Sequence, residues 1–337
     1  MTVLKLARVK LARRAVLAST LGLAIAVSGV AQAWAADKVR LSSRSLNWDI
    51  VLIESGVAAK YGLEIEIVPM KTGAEVAEAL IGGTVDVGSV GETPLTSLLT
   101  RTDAIGVIGT AVSTDGGYAQ VIVPKDSPLQ SIDDLKGKKI ATKIGSGSYR
   151  ALNDWCAKNG CSLNDFEILN TAPNAILAAI EAGSVDAGIW FAPTTSIAVA
   201  KGFGRIMMTF KGANEGQASW VANRAFAKAH PETVTKFLAA TMEAQNILVN
   251  DHERAAALLE RGMQKRGRDL TAAILKMGLA DFDYAPSMDP VRKVRVFNGV
   301  FDSLVAAGKL RGERPDFAAA LMPEFHDKAA ALVSSAN

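Results

Sequence analysis

The segment Gly83-Thr84-Val85-Asp86-Val87-Gly88 is matched one hundred residues later by Gly183-Ser184-Val185-Asp186-Ala187-Gly188. Each copy follows a helical pattern and precedes a short apolar strand and then a proline. In each copy the first glycine can end the helix in a left-handed conformation, and the aspartate can bond backbone amides in the turn. Two copies in matching contexts predict two duplicated α/β lobes.

Apolar strands and amphipathic helices alternate around both copies, which indicates the α/β class. From Pro231 onward helices dominate, because a proline suits the first helical position and apolar residues follow it at helical spacing. We predict strands at 39–43, 64–69, 105–112, 121–124, 139–143, 166–170 and 187–191, helices at 49–61, 74–81, 148–158 and 173–182, and an extended piece at 220–222.

Residues 1–36 have the order of a secretory signal peptide. Five basic residues precede any acidic one, an apolar run spans residues 15–30, and small residues alternate in 31–36. This order predicts cleavage after Ala33, Ala35 or Ala36, with Ala36 favoured. The run is short for a membrane anchor of about 20 apolar residues. The Arg13-Arg14 pair leaves both general secretion and twin-arginine export open.

The charge of the chain gives no reason to expect nucleic-acid binding. The whole chain has 37 basic and 34 acidic residues, and the first 36 residues contain five of the basic ones. Removal of the signal therefore leaves a net charge of −2, so the basicity belongs to the export signal. About 300 residues remain, which is enough for two domains of about 100–200 residues.

The two cysteines, Cys156 and Cys161, are five positions apart and flank Asn159-Gly160, a pair typical of a helix end. In an oxidising compartment they predict a local disulfide, and two free thiols are the alternative. A metal site needs more ligands than these, and the three histidines are remote in sequence. We therefore expect neither a metal nor a cofactor.

Enzyme motifs are missing from the sequence. It contains no His-Glu-x-x-His, no Gly-x-Ser-x-Gly and no P-loop, and Arg150 replaces the third glycine that a dinucleotide fingerprint needs. These observations favour a binding protein over an enzyme.

Four ordered segments carry a resemblance to a known family: 83–94, 123–128, 134–141 and 145–148. Together, behind an export signal, they make the chain resemble the type II periplasmic binding proteins of ABC importers. Within that family it is similar to the nitrate/sulfonate/taurine group, and most of all to aliphatic sulfonate-binding proteins. The pyrimidine-precursor synthases of thiamine biosynthesis share the fold, but they carry a cysteine-rich motif that this sequence lacks.

The resemblance implies two lobes joined by crossovers near Gln120–Pro124 and Ser219–Asn223. Lobe one would comprise residues 37–121 and 222–337, and lobe two residues 122–221. It also implies a monomer in the periplasm that hands a small-molecule ligand to the permease and ATPase of an inner-membrane importer. Docking on a membrane sensor is the alternative, and genes for an importer beside this one would favour transport.

Ligands of open α/β sheets bind beyond the carboxyl ends of the strands, so the loops there are candidates for the interlobe cleft. The candidate ligand-binding residues are Arg44, Asn47, Trp48, Thr72, Glu92, Thr93, Asp115, Ser146, Gly147, Ser148, Tyr149, Trp190 and Thr194.

The loop 145–149 indicates an anionic ligand, because a glycine-rich turn that opens a helix leaves backbone amides free at its positive end. Ordinary capping by Ser148 is the alternative reading of this loop. Arg44 could pair with an acidic ligand or be solvated, and the two tryptophans could hold a carbon skeleton or fill cores. Ala192 departs from the acidic residue that relatives often have there. The leading ligand class is an alkanesulfonate; a carboxylate or a neutral heterocycle remains open.

Overall fold

The computed structural model describes residues 36–336 and contains two mixed sheets of five strands each. Residues 1–35 of the expected signal lie outside the described residues. The first sheet has the order β2-β1-β3-β10-β4. Its strands are β1 Asp37–Ser43, β2 Leu63–Pro69, β3 Val87–Gly91, β4 Ile105–Thr114 and β10 Gly216–Asn223.

The second sheet repeats this plan with the order β7-β6-β8-β5-β9. In each sheet three parallel strands are followed by one antiparallel strand, β10 or β5, and then by an edge strand. β10 joins the first sheet after the chain has passed through the whole second sheet, whereas β5 directly precedes the other strands of its own sheet. The predicted duplication is therefore present in the topology. The strands are β5 Gln120–Pro124, β6 Lys139–Thr142, β7 Glu167–Asn170, β8 Ala187–Trp190 and β9 Gly204–Thr209.

Helices cover the sheets and form most of the C-terminal region. They are α1 Asn47–Glu54, α2 Val57–Lys60, α3 Gly73–Ile81, α4 Glu92–Leu99, α5 Gly147–Asn159, α6 Ile176–Glu181, α7 Thr194–Ala200, α8 Arg224–Ala229, α9 Pro231–Asn250, α10 His252–Gln264, α11 Ala272–Lys276, α12 Pro290–Ala306 and α13 Pro323–Ala336. Among residues 36–336, no helix is long and apolar enough to cross a membrane.

Two helix and strand predictions need correction. The helix expected at 49–61 is broken into α1 and α2, because Gly56 adopts a left-handed φ of 74° between them. The extended piece expected at 220–222 is the end of the eight-residue strand β10. Its first half, 216–219, has no β-branched or aromatic residue, so its strand conformation comes from pairing with β3 and β4.

The same strand corrects the expected crossovers. The chain passes to the second sheet between Thr114 and Gln120 and returns between Thr209 and Gly216. The expected crossover segments, Gln120–Pro124 and Ser219–Asn223, are both strands. The boundary expected between residues 221 and 222 therefore falls inside a strand of the first sheet.

Each lobe has apolar packing on both faces of its sheet. In the first lobe, Trp220 and Phe237 meet edge to face on the side covered by α9. In the second lobe, Leu152 of α5 and Ile180 of α6 lie in separate buried clusters. This burial, which dominates the favourable side of folding, fixes the strand ends where the candidate residues lie.

Candidate ligand-binding site

Loops from the two sheets meet where the central strands end. Glu92, the first residue of α4, follows β3 of the first sheet, and α5 follows β6 of the second. Arg150 of α5 reaches across to Glu92, with 3.5 Å between Nη1 and Oε1. The structure thus brings candidate residues of both lobes into one cleft.

Helix α5 begins one residue earlier than the sequence predicted, and its cap is Ser146. The Ser146 Oγ accepts the backbone N–H of Tyr149 at 3.2 Å, which is the standard N-cap bond. Ser148, the expected cap, instead lies buried inside the first turn. Gly147 is required here because a Cβ would overlap the hydroxyl of Tyr118.

A small cavity of about 30 Å³ lies at this helix start, between α4, α5 and the end of α12. Its lining contains hydroxyl, amide and cationic groups but no carboxylate. Thr93 is 5% exposed, and its buried hydroxyl has no hydrogen-bond partner among the described residues. The lining residues are Thr93, Gly145, Ser146, Tyr149, Arg150, Asn153, Ser303, Leu304, Ala307 and Lys309.

Glu92 forms the acidic side of this cleft, outside the cavity lining. Its Oε2 accepts the backbone N–H of Gln217 at 3.1 Å, and its Oε1 faces Arg150. Burial raises the pKa of the Glu92 carboxyl, and the positive charge of Arg150 opposes that shift. Glu92 therefore binds protein groups of both lobes.

Arg44 lies in a second polar group, at the end of β1. Its Nη2 donates to the carbonyl of Ser89 at 3.2 Å, and its buried Nε has no partner among residues 36–336. Burial lowers the pKa of the guanidinium and raises the pKa of the Asp49 carboxyl beside it. Trp48 donates from Nε1 to Ser89 Oγ at 2.9 Å, so its ring is fixed in this group.

Aromatic rings form a continuous series from the first lobe to the second. Adjacent ring centroids are separated by 4.8–6.4 Å. Only the two ends of this series, Trp48 and Trp190, are among the candidate residues. Phe191 lies in the strand predicted at 187–191, whereas Tyr118, Phe282 and Tyr284 follow no strand motif and join the series through long-range packing. In spatial order the rings are Trp48, Tyr284, Phe282, Tyr118, Phe191 and Trp190.

Ala192 has a local explanation in this structure. Gly278, which follows α11 of the C-terminal region, packs so tightly on it that a Cβ on Gly278 would overlap the Ala192 Cβ. An acidic side chain at position 192 would meet the same backbone. The segment around Gly278 thus covers the loop after β8.

Four candidates lie elsewhere or are already engaged. Thr72 is an exposed N-cap of α3, whose Oγ1 accepts from Glu75 N at 3.2 Å. Asn47 donates from Nδ2 to the Tyr284 hydroxyl at 2.9 Å. Thr194 is the first residue of α7 and is half-buried, and Asp115 lines a different cavity.

That second cavity, of about 510 Å³, lies at the crossovers and the edge strands β4 and β9. Its lining carries four carboxylates and two cations, so its charge does not favour an anion. Burial raises the pKa of the Asp281 carboxyl to about 6, although its hydrogen bond with Gln120 opposes the shift. The lining residues are Ser113, Thr114, Asp115, Gly117, Thr209, Lys211, Glu215, Ala280, Asp281, Phe282, Asp283 and Arg292.

A disulfide joins Cys156 and Cys161 at the end of α5, with 4.4 Å between their Cα atoms. Gly160 makes the left-handed turn there, with φ 77°. No group of three or more His, Cys, Asp or Glu side chains that could hold a metal ion occurs within the described residues.

Comparison with known proteins adds family relationships to this geometry. A profile of the family described as NMT1/THI5 like matches residues 53–255. A putative aliphatic sulfonates-binding protein of Escherichia coli K12 is 28% identical over 201 residues, covering 59% of this chain and 62% of the relative. The taurine-binding periplasmic protein of the same organism is 29% identical over 196 residues, covering 56% and 58%. The matches thus span about 60% of these relatives' lengths.

Solved structures confirm the fold. The alkanesulfonate-binding protein SsuA from Xanthomonas axonopodis pv. citri, bound to MOPS, has a TM-score of 0.72 at 23% identity, covering 85% of this chain and 98% of its own. The periplasmic nitrate-binding protein NrtA from Synechocystis PCC 6803 has a TM-score of 0.66 at 15% identity, covering 88% and 89%. The sequence relatives thus confirm the resemblance to the nitrate/sulfonate/taurine group, and the solved structures confirm the two-lobe type II fold.

Proposed function

The chain belongs to the NMT1/THI5-like family, and from this premise we propose that it is the periplasmic solute-binding component of an ABC importer. It captures a small organic anion in the interlobe cleft, and an aliphatic sulfonate is the leading ligand. It works as a monomer, without catalysis or a cofactor. A cleaved signal peptide at residues 1–36 directs its export to the periplasm, where it delivers its ligand to a permease and ATPase.

The observation that carries this proposal is the composition of the cavity at the start of α5. Donor groups from both lobes line it, among them the partnerless hydroxyl of Thr93 and the guanidinium of Arg150, while no carboxylate does. The thirteen-residue helix α5 points its amino end at the same place. Helix dipole and donors together favour an oxyanion over a neutral or cationic group.

The size of the cavity implies that the lobes separate for ligand entry. About 30 Å³ is too small for an organic anion, so the proposal requires this cavity to widen when a ligand enters. Two crossovers join the sheets, and such thin connections suit hinge motion. A ligand would then insert its anionic end at α5 as the cleft opens and closes.

The ring series supports a second candidate, a flat neutral heterocycle. Three of its members, Phe191, Phe282 and Trp190, are only half-buried and would present apolar faces to a ligand in an open cleft. Such a ligand would gain little from the donors at α5. The two candidates therefore differ in their dependence on charge.

Calorimetric titration of the mature protein separates them. We expect the protein to bind ethanesulfonate but not its uncharged analogue ethanesulfonamide. Benzoate and benzamide make the same comparison of charged and neutral ligands for an aromatic ring. Equal affinity for the charged and neutral members of a pair would contradict the anion proposal and favour the heterocycle.

Two threonines of α4 give a matched test of the cavity. Thr93→Val removes a hydroxyl that lines it, and Thr96→Val removes one that is equally buried and partnerless but lies outside the lining. Neither change breaks a hydrogen bond, so both variants should keep their melting temperature. We expect Thr93→Val to weaken ethanesulfonate binding about tenfold, which is about 1.4 kcal/mol, and Thr96→Val to leave it unchanged.

A further inference from the structure

Lys293 of α12 is a buried lysine with no carboxylate in contact. The residue is 1% exposed, and its Nζ donates to Gln217 Oε1 at 3.2 Å and to Ser219 Oγ at 3.0 Å. Both acceptors are neutral groups of β10. A buried ammonium without a paired anion is costly, and burial accordingly lowers the pKa of Lys293 to about 7.

A continuous set of contacts connects Lys293 with the cleft. Gln217, which accepts from Lys293, donates its backbone N–H to Glu92 Oε2 at 3.1 Å. Glu92 faces Arg150 at 3.5 Å, and Arg150 lines the cavity at the start of α5. Arg150 also forms an ion pair with Asp154 one turn further along α5, with 3.1 Å between Nε and Oδ2. The group consisting of Lys293, Glu92, Arg150 and Asp154 is called the buried charge set below.

Few other charged groups lie beside this set. Arg292 acts on Lys293 and disfavours its protonation, while the negative charge of Glu92 favours it. Arg292 is itself paired with Glu215 at 3.6 Å. With both carboxylates ionised, the set carries a net charge of −1 when Lys293 is neutral and none when it is protonated. An anion entering beside Arg150 is repelled by the first form and tolerated by the second.

We propose that Lys293 and Glu92 are specificity-determining residues that make capture of an anion proton-coupled, so that the buried charge set takes up a proton when the ligand binds. Lys293 acts as a positioning residue, since it reaches the cleft only through Gln217 and Glu92. The inference rests on the proposed function. Affinity for an anion then rises as the pH falls, because the protonated set is the form that binds.

The size of the effect follows from linkage. If one proton is taken up per anion, the affinity changes by up to about tenfold per pH unit above the titration point of the free protein. That point lies near neutrality for Lys293. A sulfonate probe has no titration of its own in this range, so any pH dependence belongs to the protein.

The test is calorimetric titration of the mature protein with ethanesulfonate at neutral pH in two cationic buffers with different ionisation enthalpies, Tris and bis-Tris, neither of which can compete for an anion site. We expect the observed heats to differ between the buffers. Divided by the difference in buffer ionisation enthalpy, this heat difference should correspond to a substantial fraction of one proton taken up per anion bound. Binding with identical heats in both buffers would overturn the inference and leave the proposed function standing. A protein that binds neither ethanesulfonate nor benzoate contradicts the proposed function, and this inference with it.

Lys293→Met keeps the length of the side chain and removes the proton site. We expect it to abolish most of the proton uptake, to flatten the pH dependence, and to weaken binding up to about tenfold at acidic pH. Lys228→Met, at an exposed position of α8, is the control and should behave as the wild type. Retention of full proton uptake in Lys293→Met would overturn the assignment.

A second variant covers the case in which Lys293→Met does not fold. Glu92→Gln keeps an acceptor for Gln217 N and makes the buried charge set one unit more positive. We expect it to bind ethanesulfonate more tightly than the wild type at alkaline pH and to take up less proton. Weaker binding with unchanged proton uptake would contradict the inference.

Discussion

The two lobes contain the same Gly-small-Val-Asp-x-Gly turn, but they use its aspartate differently. Asp86 accepts the backbone N–H of Arg40 at 2.8 Å and binds the guanidinium of the same residue, with 2.5 Å between Nη2 and Oδ1. Asp186 accepts only the backbone N–H of Lys139, at 2.9 Å. The first aspartate is buried and ion-paired; the second is half-buried and bonds only to backbone.

Both turns make the same pair of hydrogen bonds with the backbone of a neighbouring strand. In each lobe the aspartate exchanges two hydrogen bonds with one strand residue, Arg40 or Lys139. The aspartate side chain accepts that residue's backbone N–H, and the aspartate backbone N–H donates to the same residue's carbonyl at 2.9 Å. Each turn is thereby bonded to the parallel strand that neighbours the strand it leads into, β1 beside β3 in the first sheet and β6 beside β8 in the second. What the repeat preserves is this tie between turn and strand, while the ion pair with Arg40 belongs to lobe one alone.

The largest expected effect comes from removing each aspartate. Asp86→Ala leaves Arg40 without its acceptor and its ion pair, and we expect the free energy of unfolding to fall by about 3 kcal/mol. Asp186→Ala removes one bond at a more hydrated place, with an expected loss of about 1 kcal/mol. Urea unfolding followed by circular dichroism measures both.

Asparagine variants separate the backbone bond from the ion pair. Asn can still accept the strand N–H through its side-chain oxygen, so Asp186→Asn should be nearly neutral while Asp86→Asn loses the pairing with Arg40. Equal losses for the two asparagine variants would show that the ion pair does not distinguish the lobes.

The same turns explain how far the sequence predicts the molecule. Each turn is defined by six consecutive residues, so the duplicated sheets could be inferred from a local pattern, as could the glycine-rich loop that opens α5. The return crossover could not, because 216–219 becomes a strand only between β3 and β4. Tyr118, Phe282 and Lys293 were missed for a related reason: their roles arise from partners more than sixty residues away.

Lobe two has a covalent feature that the turn comparison does not reveal, the disulfide Cys156–Cys161. By the chain-entropy argument, closing so short a loop stabilises by about 2 kcal/mol. The double variant Cys156→Ala/Cys161→Ala should therefore lower the free energy of unfolding by about that amount. Mass spectrometry of the exported protein under non-reducing conditions should find no alkylatable thiol. Two reactive thiols, or an unchanged stability in the double variant, would contradict this.

The smallest expected effect concerns the caps of one helix in each lobe. Thr72 caps α3 and Ser146 caps α5, each by accepting an N–H at 3.2 Å. Replacing either by alanine should lower the free energy of unfolding by about 1 kcal/mol, since both losses are of one capping bond. The variants should differ in binding, because Ser146 lines the cavity and Thr72 is exposed outside it. We expect Ser146→Ala to weaken ethanesulfonate binding several-fold, beyond any effect of Thr72→Ala, when melting temperature and affinity are measured together. Equal affinities in the two variants would mean that Ser146 serves the helix alone, and that the anion is held by Thr93 and Arg150.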